Sequence, residues 1–269
     1  MDKISTSLMQ ELIDTAELLA DAAGQAILPY FRKPGLVSEN KGLKGAFDPV
    51  TEADRAAERA MREILLDRRP QDAVLGEEYG RVEGTSDLTW VLDPIDGTRG
   101  FLSGTPTWGV LIALRDRSGP LYGVIDQPYT QERFRGGFGL ATCSGPHGSR
   151  SLAVRATELL QDAILFSTFP EIGTPDDRAG FERVADRVRL VRYGMDCYAY
   201  ALLAAGHIDL VIEAGLNAYD ILAPIAVIEA AGGVVTNWEG GPVHNGGRAV
   251  AAATPALHAA ALERLGARA

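Results

Sequence analysis

"WVLDPIDGTRGF", residues 90–101, carries apolar strand material directly into two aspartates three positions apart. Pro94 fixes φ and drives the chain out of the strand, while Gly97 permits a tight turn. Asp93 and Asp96 can then point into one site, with the backbone carbonyl of Ile95 free to join them. Carboxylate oxygens beside a carbonyl suit a hard cation, and Mg2+ is the usual occupant. Gly97 and Thr98 follow at once, and a helix starting there offers free backbone N–H groups to an anion. Metal-binding acids next to an anion-binding helix start point to phosphoryl chemistry.

Working outward, further acids fall at turns or at the ends of apolar runs: Asp48, Glu77-Glu78, Glu213 and Asp220. Upstream, apolar residues from Ile4 to Ile27 recur at helical spacing, predicting a long first helix that breaks near Pro34. The Gly- and Lys-rich segment after it reads as a loop or loose hairpin. Thr51 with Asp54 is a capping-box pattern, starting a second helix that runs to about Leu66. Downstream, "WGVLIALRD" and "GPLYGVIDQPYT" are adjacent strands separated by Ser118-Gly119. "AILFST", "LVRY", "HIDLVIEAG" and "GGVVTN" are further strands, and helices are expected around 177–188, 195–205 and 220–231. The stretch "CSGPHGSR", 143–150, is the expected linker. It separates an N-terminal α+β half, 1–145, from a C-terminal α/β half, 146–269. Strands and helices mixed in both halves predict an α+β or α/β layered fold.

The chain has 269 residues, 46% of them hydrophobic and 23% charged, which is an ordinary globular balance. Its formal charge of −10, with no basic run, argues against nucleic-acid binding. That charge would also repel a phosphate ester unless divalent cations load first. The N-terminus has acids throughout and is not a signal peptide, and no stretch has the roughly 20 apolar residues of a membrane span. Two cysteines, Cys143 and Cys197, and four histidines without zinc spacing exclude a disulfide framework and make zinc a poor fit. A cytoplasmic protein with reduced thiols is expected.

The motifs "DPVTEAD" (48–54), "GEEYG" (76–80), "WVLDPIDGT" (90–98) and "YDILAPIAVIEAAGG" (219–233) resemble, in order, the inositol monophosphatase superfamily. The resemblance implies a layered αβαβα sandwich of the inositol monophosphatase / fructose-1,6-bisphosphatase type, often a homodimer. It also implies a small phosphate ester as substrate, hydrolysed with two or three Mg2+ ions per active site. Glu77, Asp93 and the Ile95 carbonyl would hold the first ion, and Asp93, Asp96 and Asp220 the second. Thr98 would orient the attacking water, polarised by Asp48, and the Gly97 and Thr98 amides would bind phosphate.

The substrate reading departs from the inositol pattern, which usually has Asn-Phe after "DGT" and Trp before the last metal aspartate. This chain has Arg99-Gly100-Phe101 and Tyr219. "DPIDGTRGFLSGTPTWGVLIAL" and "YGMDCYAYALLAAGHIDLVIEAGLNAYDILA" resemble instead the histidinol-phosphate phosphatases of this superfamily. Histidinol phosphate carries an ammonium and an imidazole, for which Asp196 and Glu213 are placed as acidic partners. Arg99 is expected to contact phosphate or hold a neighbouring carboxylate. Inositol 1-phosphate or another small ester is the alternative substrate.

Overall fold

The computed structural model describes residues 4–40 and 49–266. Helix α1 (Thr6–Ile27) opens on Ser5, whose hydroxyl accepts from the Leu8 amide, and buries Leu12, Ala16, Leu19, Ala23 and Ile27 along one stripe. It stops short of the break expected near Pro34. Pro29 has no N–H to extend the ladder, so Leu28 becomes the C-cap and the chain leaves through turns. The expected hairpin is present as β1 (Ser38–Asn40) antiparallel to β2 (Pro49–Thr51). The Thr51 and Asp54 side chains make the predicted capping box, and α2 (Glu52–Arg68) follows.

A large sheet contains β3 (Ala73–Gly76), β4 (Gly80–Val82), β5 (Thr89–Asp96), β6 (Gly109–Arg115), β7 (Pro120–Gln127), β8 (Glu132–Gly137), β9 (Leu140–Gly145) and β10 (Gly148–Ser151). Their spatial order is β10-β9-β8-β7-β6-β5-β3-β4, antiparallel except where β3 meets β5. The short α3 (Thr98–Ser103) bridges β5 and β6. Residues 143–150 are not a linker: they form the β9–β10 hairpin, with Gly145 paired to Gly148. Gly, Pro and Ser mark tight turns as strongly as linkers, and Gly148 takes a φ of 101°.

The second sheet contains β11 (Ile164–Ser167), β12 (Leu190–Tyr193), β13 (Leu210–Asn217), β14 (Val234–Thr236) and β15 (Gly246–Ala252), in the order β12-β11-β13-β15-β14. The expected helices appear as α4 (Pro175–Ala185), α5 (Asp196–Ala204) and α6 (Ala218–Ala230), and α7 (Pro255–Gly266) completes the set.

The strands of the large sheet alternate between two buried faces. Trp90, Leu92, Ile112 and Leu114 meet α1 and α2, while Val91, Leu111, Ala113 and Ile125 meet α5 and α6. Burial on both sides explains why "VLIAL" reads as a continuous apolar run. The middle helices also pack against Val211, Ala249 and Ala251 of the second sheet. Leu165, Leu210, Ile212 and Val250 face outward under α4 and α7. The layers are therefore α, β, α, β, α, as the resemblance implied.

Candidate active site

Two aspartates three apart on a regular strand point to opposite faces, because side chains alternate with period two. In β5 this parity is broken. Asp93 pairs with Leu111 and Asp96 with Gly109, so three steps on β5 span two on β6. The extra residue is a bulge at Pro94-Ile95, and it returns both carboxylates to the face toward α6. Ile95 itself packs its side chain on the other face, against the α1–α2 core.

Asp220 arrives from the first turn of α6. Its Oδ2 accepts from the Asn217 amide at 2.7 Å, in a capping box. One carboxylate oxygen each from Asp93, Asp96 and Asp220 lie within 4.8 Å of one another. Asp96 Oδ2 also accepts from the Cys197 amide at 2.6 Å, tying the end of β5 to the start of α5. Glu77 sits on the turn after β3, with its amide donating to the Leu92 carbonyl and its carboxyl hydrogen-bonded to Asp93. Further along α6 is Pro224, which has no N–H to close on the Asp220 carbonyl one turn back.

Burial drives the Asp93 carboxyl well above its usual range, and the charges of Glu77, Asp96 and Asp220 push it further. Burial and Asp220 do the same to Asp96. Asp220 rises to about 7, again through burial first, with Glu77 adding to it. Asp93 Oδ1 is fully buried with no hydrogen-bond partner. An orphaned buried carboxylate oxygen amid like charges is what a cation would satisfy. All the donors are oxygen, which fits Mg2+.

Beside the cluster, α3 begins at Gly97, whose φ of 87° only glycine adopts freely. Thr98 Oγ1 donates to the Ile95 carbonyl at 3.2 Å, leaving that oxygen a second lone pair. Asp196 opens α5 with a φ of 45° and does not cap it. Its side chain lies against Gly97 instead, where an added Cβ would come within 2.7 Å of Asp196 Cγ. Burial raises Asp196 to about 6, opposed by the Thr107 hydroxyl and the Arg99 charge. Arg99 thus stands near a carboxylate, and its Cζ is 4.6 Å from the centroid of the Phe169 ring.

Glu213 is 5% exposed on β13 and accepts from Thr168 N at 2.6 Å, Thr168 Oγ1 at 2.9 Å and Ser167 Oγ at 3.4 Å. Burial lifts it to about 8, with the Asp196 charge contributing. Asp48, expected to polarise the water, lies outside the described residues.

Sequence reasoning did not single out Thr107, Thr168 or Phe169, whose contacts join segments far apart in the chain. Glu58 was also passed over, although an acid four residues after Asp54 on a buried helix face is a readable signal.

Among curated proteins, the chain is 42% identical over 247 residues to the bifunctional phosphatase IMPL2 of Arabidopsis thaliana, covering 88% of this chain and 69% of that one. It is 37% identical over 252 residues to the histidinol-phosphatase of Mycobacterium tuberculosis, covering 93% and 95%. The solved structure of an inositol monophosphatase from Zymomonas mobilis superposes with a TM-score of 0.83 at 38% identity, covering 95% of this chain and 98% of that one. The inositol monophosphatase family profile matches residues 8–268. A bulged strand that gathers buried carboxylates beside a glycine-started helix is thus set within a match running almost end to end, and the chain belongs to the inositol monophosphatase family.

Proposed function

We propose that this phosphatase-family chain hydrolyses L-histidinol phosphate to L-histidinol and phosphate in histidine biosynthesis, with Mg2+ as cofactor. The observation that carries the substrate reading is the pair of buried carboxylates, Asp196 and Glu213, next to the metal-type cluster. An ammonium and an imidazolium bound beside them would favour their ionised forms and pair with them, whereas an inositol ring brings neutral hydroxyl donors and no cation. The likeness to a histidinol-phosphatase of nearly the same length supports this.

In this reading Glu77, Asp93 and the Ile95 carbonyl would hold one Mg2+, and Asp93, Asp96 and Asp220 another; a third, weaker ion would lie near Glu77. Bound there, the ions acidify water and neutralise charge on the phosphoryl oxygens. Thr98 and Glu77 orient the attacking water, and Asp48 polarises it. The Gly97 and Thr98 amides hold the phosphate at the start of α3, where no preceding turn occupies them. The water oxygen bonds to phosphorus in line as the ester P–O bond breaks; one of the water's protons ends on the departing oxygen, giving the alcohol, and the other stays on the phosphate. The chain contributes position and fixed charge, with no covalent enzyme intermediate. Arg99, with the Thr107 hydroxyl, opposes the burial that raises Asp196 and so favours its ionised form for the substrate ammonium.

We also read the protein as a cytoplasmic homodimer. The apolar Leu190 and Tyr193 exposed on edge strand β12 support a self-contact, which light scattering would test. Among the described residues no helix is long and apolar enough to cross a membrane.

Inositol-1-phosphate hydrolysis is the second reading, favoured by the likeness to the Zymomonas structure. Phosphate release from a panel of esters, with and without Mg2+, separates the two. Histidinol phosphate is expected to be the best substrate by kcat/KM. Hydrolysis no faster than that of inositol 1-phosphate sinks the substrate reading.

A further inference from the structure

The turn that carries Glu77 is held from behind. Residues 77–79 join β3 to β4, where Gly76 pairs with Gly80, so the ladder leaves the amides of the turn to find other acceptors. Glu58 of α2, with no exposed surface, supplies them. Its Oε2 accepts from the Glu78 amide at 2.7 Å, and its Oε1 from the Tyr79 amide at 3.2 Å. Arg62, one helical turn on, donates to Glu58 Oε1 at 2.7 Å and to the Gly80 carbonyl at 2.5 Å. Arg59 reaches the Tyr79 hydroxyl at 2.8 Å. The approach is so close that a Cβ at Gly76 would lie 2.0 Å from Glu58 Oε1.

Helix packing alone does not call for this arrangement. A buried ion pair is commonly matched or bettered in stability by apolar side chains of similar size. The turn, however, carries an acid into a pocket already holding Asp93, Asp220 and the nearby Asp54, and in the ionised forms that a cation requires these carboxylates would push it outward. Two backbone tethers to one rigid carboxylate, itself neutralised by Arg62, oppose that push. We propose that Glu58 is a positioning residue, whose buried carboxylate fixes the 76–80 turn and so aims Glu77 at Asp93. The proposal rests on the reading of Glu77 as a Mg2+ ligand.

The test is calorimetric titration of the whole chain with MgCl2. In Glu58→Gln the isosteric amide places an NH2, itself a donor, against one of the N–H groups that the carboxylate accepts from. Mg2+ affinity is expected to fall about 10–100-fold. The Mg2+ concentration for half-maximal phosphate release should rise by the same factor, with KM at saturating Mg2+ moving less than about twofold. Arg62→Gln, on a partly exposed site, should weaken Mg2+ less, by roughly threefold to tenfold.

Asp72→Asn is the structural control. Asp72 is also buried and bonded, to Arg69, Ser86 and Trp90, but at the other end of β3. It should lower the melting temperature and leave Mg2+ affinity unchanged. Wild-type Mg2+ affinity in Glu58→Gln, or in Arg62→Gln should Glu58→Gln not fold, overturns the proposal, as does equal weakening by Asp72→Asn. If the wild-type chain itself binds no Mg2+, the metal reading falls and this inference falls with it. Binding by wild type and variants alike strikes Glu58 only.

Discussion

The large sheet carries two groups of crowded carboxylates, and they are handled in opposite ways. At one, Asp126 on β7 and Glu17 and Asp21 on α1 surround Arg133, which bonds them at 2.6, 2.7 and 2.8 Å. Arg135 adds two more bonds to Glu17. Burial pushes Glu17 upward, yet the hydrogen bonds from Arg135 and Arg133 outweigh it and hold its carboxyl below the usual value. At the other group, burial and mutual repulsion raise Asp93, Asp96 and Asp220 together. Among the described residues, no basic side chain is a main influence on these three carboxyls. Permanent counter-ions make the first group architecture, and an exchangeable one would make the second a site.

The contrast breaks most sharply at Asp93. Asp93→Asn should reduce kcat by on the order of 10³-fold or more. It should also raise the melting temperature of the metal-free protein, since a repelled buried charge is removed; assays with Mg2+ alongside thermal melts in EDTA check both. A fall in metal-free stability would remove the site from the repulsive class. At the arginine-matched group the signs reverse. Arg133→Met leaves Asp126 buried and unpaired and should cost about 3 kcal/mol by chemical denaturation, while the folded fraction keeps its kcat.

Next in size is the substrate side. Glu213→Gln should lower kcat/KM for histidinol phosphate about 30-fold while moving the value for glycerol phosphate little, because only the former brings a cation. Equal losses on both esters would make Glu213 structural.

The smallest effect is in pH. Asp196, Asp220 and Glu213 have raised folded-state values of about 6, 7 and 8. The folded chain therefore holds more protons than the unfolded one between about pH 4 and pH 8. Their stabilisation is complete below the ordinary carboxylate range and is lost as pH rises through 6 to 8. Metal-free melts should drop by about 5 °C from pH 5 to pH 8. Mg2+, which needs the ionised forms, should restore more at the higher pH.

Much of this site was legible in the sequence, because its donors lie in short runs with their own turn chemistry. "DPIDGT" displays Asp93, Asp96 and Gly97, and "AYDILAP" displays Asp220 as a helix-start acid. The parity of Asp93 and Asp96 was not legible, since a bulge is defined only against the partner strand. Local signals also misled where two structures share them: Pro29 rather than Pro34 ends α1, and a Gly-Pro-His-Gly turn closes a hairpin. The final strand and helix, "GGRAVAA" and "PALHAAALERLG", went unread because alanine marks apolar faces weakly. Glu213 was visible as the acid ending a strand, but its hold on Thr168 joins residues 45 apart, which no periodicity records.

Asp220 serves two masters, and Pro224 sharpens the conflict. With no amide at Pro224, the first turn of α6 lacks one rung of its ladder and depends on the capping box for closure. The same carboxylate that closes that turn is offered to the cation. A cation held by Asp220 would therefore draw α6 tighter at its open end. Amide hydrogen exchange at residues 218–221 should slow when Mg2+ is added, so that the helix acts as a gauge of how full the site is.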